Sequence, residues 1–368
     1  MIIKLIILSL LSLSSCSTLN KLGLEGVREK QNIFSPRWMK NLDPEYDSGN
    51  LPIALQSPLI YKEMVFIGDN NGEMNAYALS DGRPVWSKEE NGAYHSMPVA
   101  YQNSIIYGNA AGRIYSRGFR DGKLNYSVDL GASIESRPVI YKGRMFVHTR
   151  NHKVFALDVE TGKILWAYKR AVPFLTTLQR VSRPLVENGR IYVGFADGSV
   201  AAFSIEEGVL LWETKVSQGT KFIDVDSAPI LVRNKLVVTS LSDSVTVLNA
   251  KTGQIETKIP YSVARSPLKS GDDLIVGTVD GEVVWLDQNF RLKRKIKIGN
   301  DSISNIAMWR GDMLITTVDG YLYLVGLDDY TVKHKKFLGH KSSAVFGHIS
   351  IEDDSMATLS SRNRLYVF

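Results

Sequence analysis

The sequence contains one cysteine, Cys16, so no disulfide can form within the chain. The small disulfide-stapled class of secreted domains is therefore excluded, because it needs a framework of paired cysteines. A strong excess of one charge is also lacking: 44 basic and 38 acidic residues leave a formal charge of +6, spread along the chain. The densest basic stretch, residues 291–297, alternates with apolar residues, which indicates an exposed edge strand rather than a nucleic-acid surface.

The chain also lacks an apolar run long enough to cross a membrane as a helix. Its most apolar stretch, residues 5–13, has about nine residues, whereas a spanning helix needs roughly 20. Lys4 precedes this stretch and Ser14-Ser15-Cys16 follows it, as in a secretory signal with small residues before the cleavage point. We therefore predict a signal peptide over residues 1–15.

The end of this signal, Leu13-Ser14-Ser15-Cys16, is similar to the bacterial lipobox. The resemblance implies cleavage before Cys16, a diacylglyceryl group on its thiol, and a protein anchored to a membrane without spanning it. Under the common sorting rule of bacterial lipoproteins, Asp after the cysteine would retain the protein in the inner membrane, and here Ser17 stands there. We therefore expect lipid anchoring at the outer membrane; an ordinary signal peptide with a stray cysteine is the alternative.

Helical periodicity is weak after the signal, and one pattern instead repeats about every 40 residues, the length of a four-stranded propeller blade. The pattern consists of a Pro, two spaced Gly positions, an Asp-Gly or Thr-Gly turn and then an aromatic residue. Six units open at Pro58, Pro98, Pro138, Pro184, Pro229 and Pro267. A faint seventh unit runs from Ile306 through Thr316 and Gly320, and an eighth runs from about Ile349 to Phe368. The fold class predicted is all-β, an eight-bladed β-propeller, with seven blades left open by the faint seventh unit.

The interior of a unit supports this interpretation. In the third unit, Val139-Ile140-Tyr141, Met145-Phe146-Val147 and Val154-Phe155-Ala156-Leu157 are short apolar runs separated by turn residues, as in consecutive hairpins. After the Thr161-Gly162 turn, Trp166 lies in the outer strand. A large flat aromatic side chain at that position is suited to wedging between neighbouring blades.

The two ends of the repeat region complement each other. The last unit stops at Phe368, where the others have only reached their third strand. Residues 34–40 contain Trp38 and belong to no unit, so we predict that they supply the outer strand of the last blade and close the ring. The expected organisation is a signal peptide at 1–15, a lipidated Cys16 with a tether at 16–33, and a propeller at 34–368.

The units resemble the pyrroloquinoline-quinone-type propeller repeat, most clearly in Asn71-Gly72 with Ala76-Tyr77-Ala78-Leu79. Together with the lipobox, they make the chain similar to the BamB family of accessory lipoproteins of the outer-membrane β-barrel assembly machinery. That resemblance implies a non-enzymatic scaffold on the periplasmic face of the outer membrane. Its implied partner is the central barrel protein of the machinery, through its periplasmic domains. Nascent outer-membrane proteins are a second expected partner, through β-augmentation of an exposed strand.

Two segments resemble the partner-binding loops of the family. Asp224-Val225-Asp226 precedes Pro229, similar to an Asp-Val-Asp stretch before a Pro, and residues 175–180 resemble a Leu- and Arg-bearing loop. The resemblance implies adjacent inter-blade loops whose partner-binding residues are Leu175, Leu178, Arg180, Asp224 and Asp226. Gln179 stands where the family has its Arg, so either Gln179 or Arg180 could take that role.

The residues themselves allow two interpretations of the Asp pair. Two aspartates that flank one residue of an extended segment point to the same side, where they could receive Lys or Arg side chains of a partner. The alternative is that they accept hydrogen bonds from nearby backbone amides and shape the loop.

Enzyme functions remain as alternatives. A quinoprotein dehydrogenase on this fold would need a quinone cofactor, a calcium ion and, in that family, an adjacent cysteine pair, which this chain lacks. His148 and His152 replace repeat glycines, so we interpret them as turn or surface residues and not as metal ligands. Carboxylates from distant blades could still form a hydrolase or lyase site for polysaccharides. We predict no catalytic residues, no metal and no cofactor.

Overall fold

The computed structural model describes residues 33–45, 56–170, 181–219, 223–240, 244–263 and 265–368. The chain divides into two compact units, Met1–Ser35 and Pro36–Phe368. The described part of the second unit contains 32 strands in eight sheets of four antiparallel strands, so each sheet is one blade. Across the described ranges, the structure has no helix long and apolar enough to cross a membrane.

Blades 1 to 7 each take four consecutive strands, numbered from the channel outward. Blades 1 and 2 consist of β2 (Leu59–Tyr61), β3 (Met64–Gly68), β4 (Glu73–Ala78), β5 (Pro84–Glu89), β6 (Val99–Tyr101), β7 (Ser104–Gly108), β8 (Arg113–Gly118) and β9 (Leu124–Asp129). Blades 3 and 4 consist of β10 (Val139–Tyr141), β11 (Arg144–His148), β12 (Lys153–Asp158), β13 (Ile164–Lys169), β14 (Leu185–Glu187), β15 (Arg190–Gly194), β16 (Ser199–Ser204) and β17 (Leu210–Lys215).

The second half of the ring follows the same plan. Blades 5 and 6 consist of β18 (Ile230–Val232), β19 (Lys235–Thr239), β20 (Val245–Asn249), β21 (Ile255–Ile259), β22 (Leu268–Ser270), β23 (Asp273–Gly277), β24 (Glu282–Leu286) and β25 (Leu292–Lys297). Blades 7 and 8 consist of β26 (Ile303–Trp309), β27 (Asp312–Thr317), β28 (Tyr321–Val325), β29 (Val332–Phe337), β30 (Ser350–Glu352), β31 (Ser355–Leu359) and β32 (Arg364–Val367), with β1 (Trp38–Asn41) as the outer strand of blade 8.

Burial explains why the apolar pattern differs between strands. The second strand of blade 1, Met64–Gly68, is buried at every position, because blades pack on both of its faces. The outer strand of blade 3, Ile164–Lys169, alternates between exposed and partly buried residues. The basic outer strand of blade 6, Leu292–Lys297, is exposed at five of its six positions, which confirms the expected exposed strand.

The ring closes as the sequence predicts. Trp38 of β1 lies opposite Val367 of β32, and Met39 lies opposite Tyr366. The backbone N–H of Arg37 also donates a hydrogen bond to the carbonyl oxygen of Val367, at 2.7 Å. Blade 7 is a complete four-stranded sheet despite its faint sequence signal, so the blade number is eight.

The antiparallel order of the strands divides the loops between two faces of the ring. The first turn of every blade and the third turn of blades 1 to 7 lie on one face, which we call the turn face. The second turns and the connections between blades lie on the opposite face, which we call the connection face. Asp224 and Asp226 belong to a connection, between β17 of blade 4 and β18 of blade 5.

Outer-strand aromatics join neighbouring blades, as expected. The indole Nε1 of Trp166 in blade 3 donates a hydrogen bond to the carbonyl oxygen of Ile205 in blade 4, at 3.0 Å. The ring faces Gly208, where an added Cβ would lie 2.5 Å from Cε3 of Trp166. The same type of bond is donated by Trp38 to Leu79, Trp86 to Phe119, Tyr126 to Val159 and Trp212 to Ala250. The turn glycine of each such blade is therefore needed, because a side chain there would collide with the aromatic ring of the preceding blade; we call this glycine the glycine seat.

Candidate functional site: the central channel and its connection loop

The connection that carries the Asp pair is anchored to blade 4. The backbone N–H of Val225 donates a hydrogen bond to the carbonyl oxygen of Phe195, at 3.1 Å, and Val225 itself is buried. Asp224 is only 2% exposed, whereas Asp226 is partly exposed and lines the central cavity. Both carboxylate residues also make contacts of their own. The two side chains therefore differ in how accessible they are from the connection face.

The other predicted site residues, Leu175, Leu178, Arg180 and Cys16, lie outside the described residues, as do Gln179 and Ser17. Their roles in partner binding and lipid anchoring stay predictions. The side-by-side arrangement of the two loops stays a prediction for the same reason.

The central cavity has a volume of ≈ 290 Å³ and is lined by the segments that lead into the innermost strands. In six blades, the residue two positions before the innermost strand faces this cavity; these residues are Met97, Arg137, Arg183, Ala228, Ser266 and His348. Asn305 at the start of blade 7 and Arg265 also line it. One repeat position thus delivers side chains from sequence-distant blades to one channel.

The cavity wall is rich in positive charge. Burial, and then the neighbouring charge of Arg183, lowers the pKa of Arg137 to about 10. Burial also lowers the pKa of Arg183. His348 is exposed to the channel; desolvation inside the ring, followed by the charges of Arg183, Arg137 and Arg265, lowers its pKa. The arginines and His348 therefore act on one another across the channel.

The described carboxylates of the cavity wall are Glu135 and Asp226. Glu135 forms an ion pair with Arg150, at 3.1 Å, and accepts a hydrogen bond from the hydroxyl of Ser133, at 3.1 Å. A general acid or base pair would need two carboxyl groups set across a substrate from each other. These two residues come from blades 3 and 5, and Glu135 is already held by an arginine.

The histidine interpretation was partly wrong. His152 lies in a turn with a φ of 60°, as expected. His148, in contrast, is buried; its Nδ1 lies 3.0 Å from the carbonyl oxygen of Ser182, and its ring packs edge-on against Phe195. The sequence pattern placed it at a turn because it substitutes for a glycine, but that position faces the next blade. Throughout the described ranges, no group of three or more His, Cys, Asp or Glu residues is arranged to hold a metal ion.

Sequence reasoning also missed the channel arginines. Arg137-Pro138 and Arg183-Pro184 occupy the same position of two consecutive units, and this shared position was the available signal. This signal was not decisive, because a residue before a strand-opening Pro can equally well lie in an exposed loop.

Comparison with known proteins places the fold and the family. The family model described as outer membrane protein assembly factor BamB matches residues 70–289, more than half of the chain. BamB from Moraxella catarrhalis has a similar structure, with a TM-score of 0.74 and 18% identity, over 90% of this chain and 98% of that one. No curated protein sequence matches the chain.

Two further structures share the fold. A computationally designed protein, Ika8, has a TM-score of 0.70 at 14% identity, over 86% of this chain and 96% of that one. A europium-containing methanol dehydrogenase has a TM-score of 0.68 at 12% identity, over 88% of this chain and 84% of that one. Likeness at such identity shows the propeller alone, since one fold carries many functions. The family match is the specific result, and the chain belongs to the family of outer membrane protein assembly factor BamB.

Proposed function

We propose that the protein is a non-enzymatic scaffold lipoprotein of the outer-membrane β-barrel assembly machinery. The observation that carries the proposal is membership of the BamB assembly-factor family. The signal sequence ending in Cys16, followed by Ser17, supports lipid anchoring at the periplasmic face of the outer membrane. The proposed partner is the central barrel protein of that machinery, bound through its periplasmic domains.

The connection face supplies the proposed binding surface. Asp226 is partly exposed there and can receive a Lys or Arg side chain of the partner, whereas Asp224 is only 2% exposed. Leu175, Leu178 and Arg180, from the connection before blade 4, complete the surface by the resemblance described above.

Binding between the full chain and purified periplasmic domains of the central barrel protein tests this proposal. Reversing one interface charge in Asp226→Lys should weaken binding by about tenfold or more. Asp328→Lys is the matched control, because Asp328 is exposed in a turn of blade 7 on the opposite face. Unchanged affinity of a folded Asp226→Lys protein would remove Asp226 from the site, and absence of any binding by the wild type would refute the scaffold role.

Nascent outer-membrane proteins are the second proposed partner. The outer strands of blades 3 and 4 end their sheets and expose apolar side chains, among them Leu165 at 43% and Leu211 at 45%. An extended chain with alternating apolar residues could add to such an edge. Crosslinking from position 211 to an unfolded barrel protein should exceed crosslinking from position 328 on the turn face; equal yields would exclude this edge.

The methanol dehydrogenase likeness favours one alternative, a quinone-dependent oxidoreductase. The residues present do not fit its metal and cofactor chemistry: the described carboxylates of the channel are Glu135 and Asp226, and Glu135 is bound to Arg150. The chain also has no cysteine beyond Cys16 to form the pair expected over a quinone. Quinone-dependent dye reduction by the purified protein, together with failure to bind the assembly partner, would favour the enzyme.

A further inference from the structure

The channel arginines come from equivalent positions of adjacent blades. Arg137 precedes Pro138 at the start of blade 3, and Arg183 precedes Pro184 at the start of blade 4. Both side chains line the central cavity. The propeller therefore sets two guanidinium groups beside each other in one water-accessible channel, where the charge of Arg183 acts on Arg137.

The surroundings provide these two cations with little compensation. Nε of Arg183 is buried and has no hydrogen-bond partner in the part of the chain that the structure describes. No ion pair of Arg137 or Arg183 is present among the described residues, in contrast to Arg117 with Glu90, at 2.7 Å, and Arg170 with Asp197, at 2.6 Å. These two buried arginines of the described ring are thus matched with carboxylates.

A third arginine of the wall, Arg265, adds to the positive field, and the lowered pKa of His348 keeps its imidazole neutral within that field at pH 7. Arg265 of blade 6 lies over the ring of Phe346, at 5.4 Å, and His348 of blade 8 feels the charges of all three arginines. Of the two described acidic residues of the wall, Glu135 is paired with Arg150, and Asp226 makes contacts of its own. Converging like charges in a partly desolvated site are unfavourable unless a counter-charge is supplied.

We propose that the channel binds a small multivalent oxyanion, held by the guanidinium groups of Arg137 and Arg183 with Arg265 and His348 around it. Guanidinium groups donate paired hydrogen bonds to phosphate and carboxylate oxygens, and such charge-assisted bonds are the strongest of the ordinary hydrogen bonds. The cavity of ≈ 290 Å³ accommodates an ion the size of phosphate or citrate. The anion-binding inference does not depend on the scaffold role, although Asp226 belongs both to the cavity wall and to the proposed binding surface.

Calorimetric titration of the full chain with inorganic phosphate, and in parallel with citrate, tests the site at constant ionic strength set by chloride. The wild type should bind at least one of the two ions. Tighter phosphate binding assigns the site to phosphoryl or inorganic phosphate ligands, and tighter citrate binding assigns it to carboxylate ligands. Absence of binding by both ions would overturn the proposal.

Arg183→Gln and Arg137→Gln should each reduce the affinity by about tenfold or more, since each removes a charged donor. Arg291→Gln, at an exposed turn of blade 6, is the matched control and should bind as the wild type does. Retention of wild-type affinity in both channel variants would refute the assignment.

Thermal unfolding separates binding from a structural role. Without phosphate or citrate, the channel variants should melt at the same temperature as the wild type or higher, because they relieve repulsion between the arginines. With the ion present, only the wild type and Arg291→Gln should gain stability. Equal destabilisation of both channel variants with and without the ion would instead mean that the arginines serve the fold.

Discussion

The interface between blades 1 and 2 and the interface between blades 6 and 7 both contain an aromatic ring, but the ring comes from the first blade in one case and from the second blade in the other. Between blades 1 and 2, Trp86 lies opposite Ala76 in the outer strand and its ring is seated on Gly122 of the next turn. Between blades 6 and 7, Arg294 stands at the equivalent register, opposite Trp285, and Tyr330 of the next turn supplies the ring. The guanidinium carbon of Arg294 lies 4.1 Å from the centroid of Tyr330.

At the interface between blades 6 and 7, the aromatic ring stands at the turn position that glycine occupies in other blades. The N–H of Tyr330 donates to the carbonyl oxygen of Gly326, at 3.1 Å, in the same pattern as Gly82 to Ala78 in blade 1, so Tyr330 occupies a glycine position. It does so with a φ of 59°, a conformation that costs a bulky residue on the order of 1 kcal/mol. The cation–π contact and an edge-on contact with Trp285, at 5.2 Å, offset that cost.

The interface between blades 5 and 6 has the same arrangement, with an uncharged residue in place of the arginine. Thr257 lies opposite Val247, at the position where blades 1 to 4 carry their aromatic residue, and Phe290 of the following turn packs against the core between the blades. Phe290 also has a positive φ, of 62°. In these interfaces one blade supplies a flat aromatic ring and the other a counterpart that leaves room for it, and either blade can supply the ring.

The largest expected effect comes from removing the ring closure. A chain that begins at Met39 loses Trp38, its 2.8 Å hydrogen bond to Leu79 and part of the ladder to β32. Loss of a Trp side chain alone costs about 3–5 kcal/mol, so the free energy of unfolding should fall by more than about 5 kcal/mol. Urea denaturation measures this, with a chain that begins at Ile33 as control. Equal stability of the two chains would contradict closure through Trp38.

The glycine seat is the next test. Gly208→Ala should destabilise by about 2–5 kcal/mol, because its φ is +68° and its new Cβ would lie 2.5 Å from the ring of Trp166. Gly189 is the matched control, with a φ of +74° and no neighbour within 4 Å of an added Cβ. Gly189→Ala should therefore cost only the backbone strain, about 1 kcal/mol. Equal losses of unfolding free energy would show that the seat imposes no steric demand.

His148 predicts an acid sensitivity of the interface between blades 3 and 4. Burial lowers its pKa from 6.5 to about 4, so the unfolded chain binds the extra proton between these values. Stability should therefore be complete near pH 7 and fall as the pH drops from 6.5 towards 4, by roughly 3 kcal/mol at most from this residue.

Urea denaturation at pH 7 and pH 5 measures this effect. His148→Gln should make the fall with acid shallower, whereas His334→Gln, on the outer strand of blade 7, should leave it unchanged. The same slope in both variants would mean that other groups set the acid sensitivity.

The smallest effect is expected at the exchanged interface. Tyr330→Gly removes the ring but also the strained φ, so the net loss should be about 1 kcal/mol. Adding Arg294→Trp should recover stability by recreating the arrangement of blades 1 and 2. Thermal unfolding of the single and double variants measures this, and a double variant less stable than Tyr330→Gly would show that the two arrangements are not interchangeable.

The sequence was informative wherever the repeat is regular. Trp86, Trp166 and Trp212 with their glycine seats revealed the blades, and the unassigned Trp38 revealed the closure. The sequence was misleading where an unusual residue occupies a repeat position. Phe290 and Tyr330 stand in turns, where an aromatic residue is not expected. His148 replaces a repeat glycine and was therefore expected at a turn or at the surface. In each case the missing information was the identity of the neighbour in the next blade.

The sequence by itself determined the blade length, the strand positions and the pairing of the two chain ends, because turns, alternation and the repeat period act over short distances. Only the tertiary structure decided that Arg137, Arg183, Arg265 and His348 share one channel and that Asp226 is accessible while Asp224 is buried. The physical reason is the closed ring, which brings one position of every blade to a common centre however far apart the blades lie in the sequence.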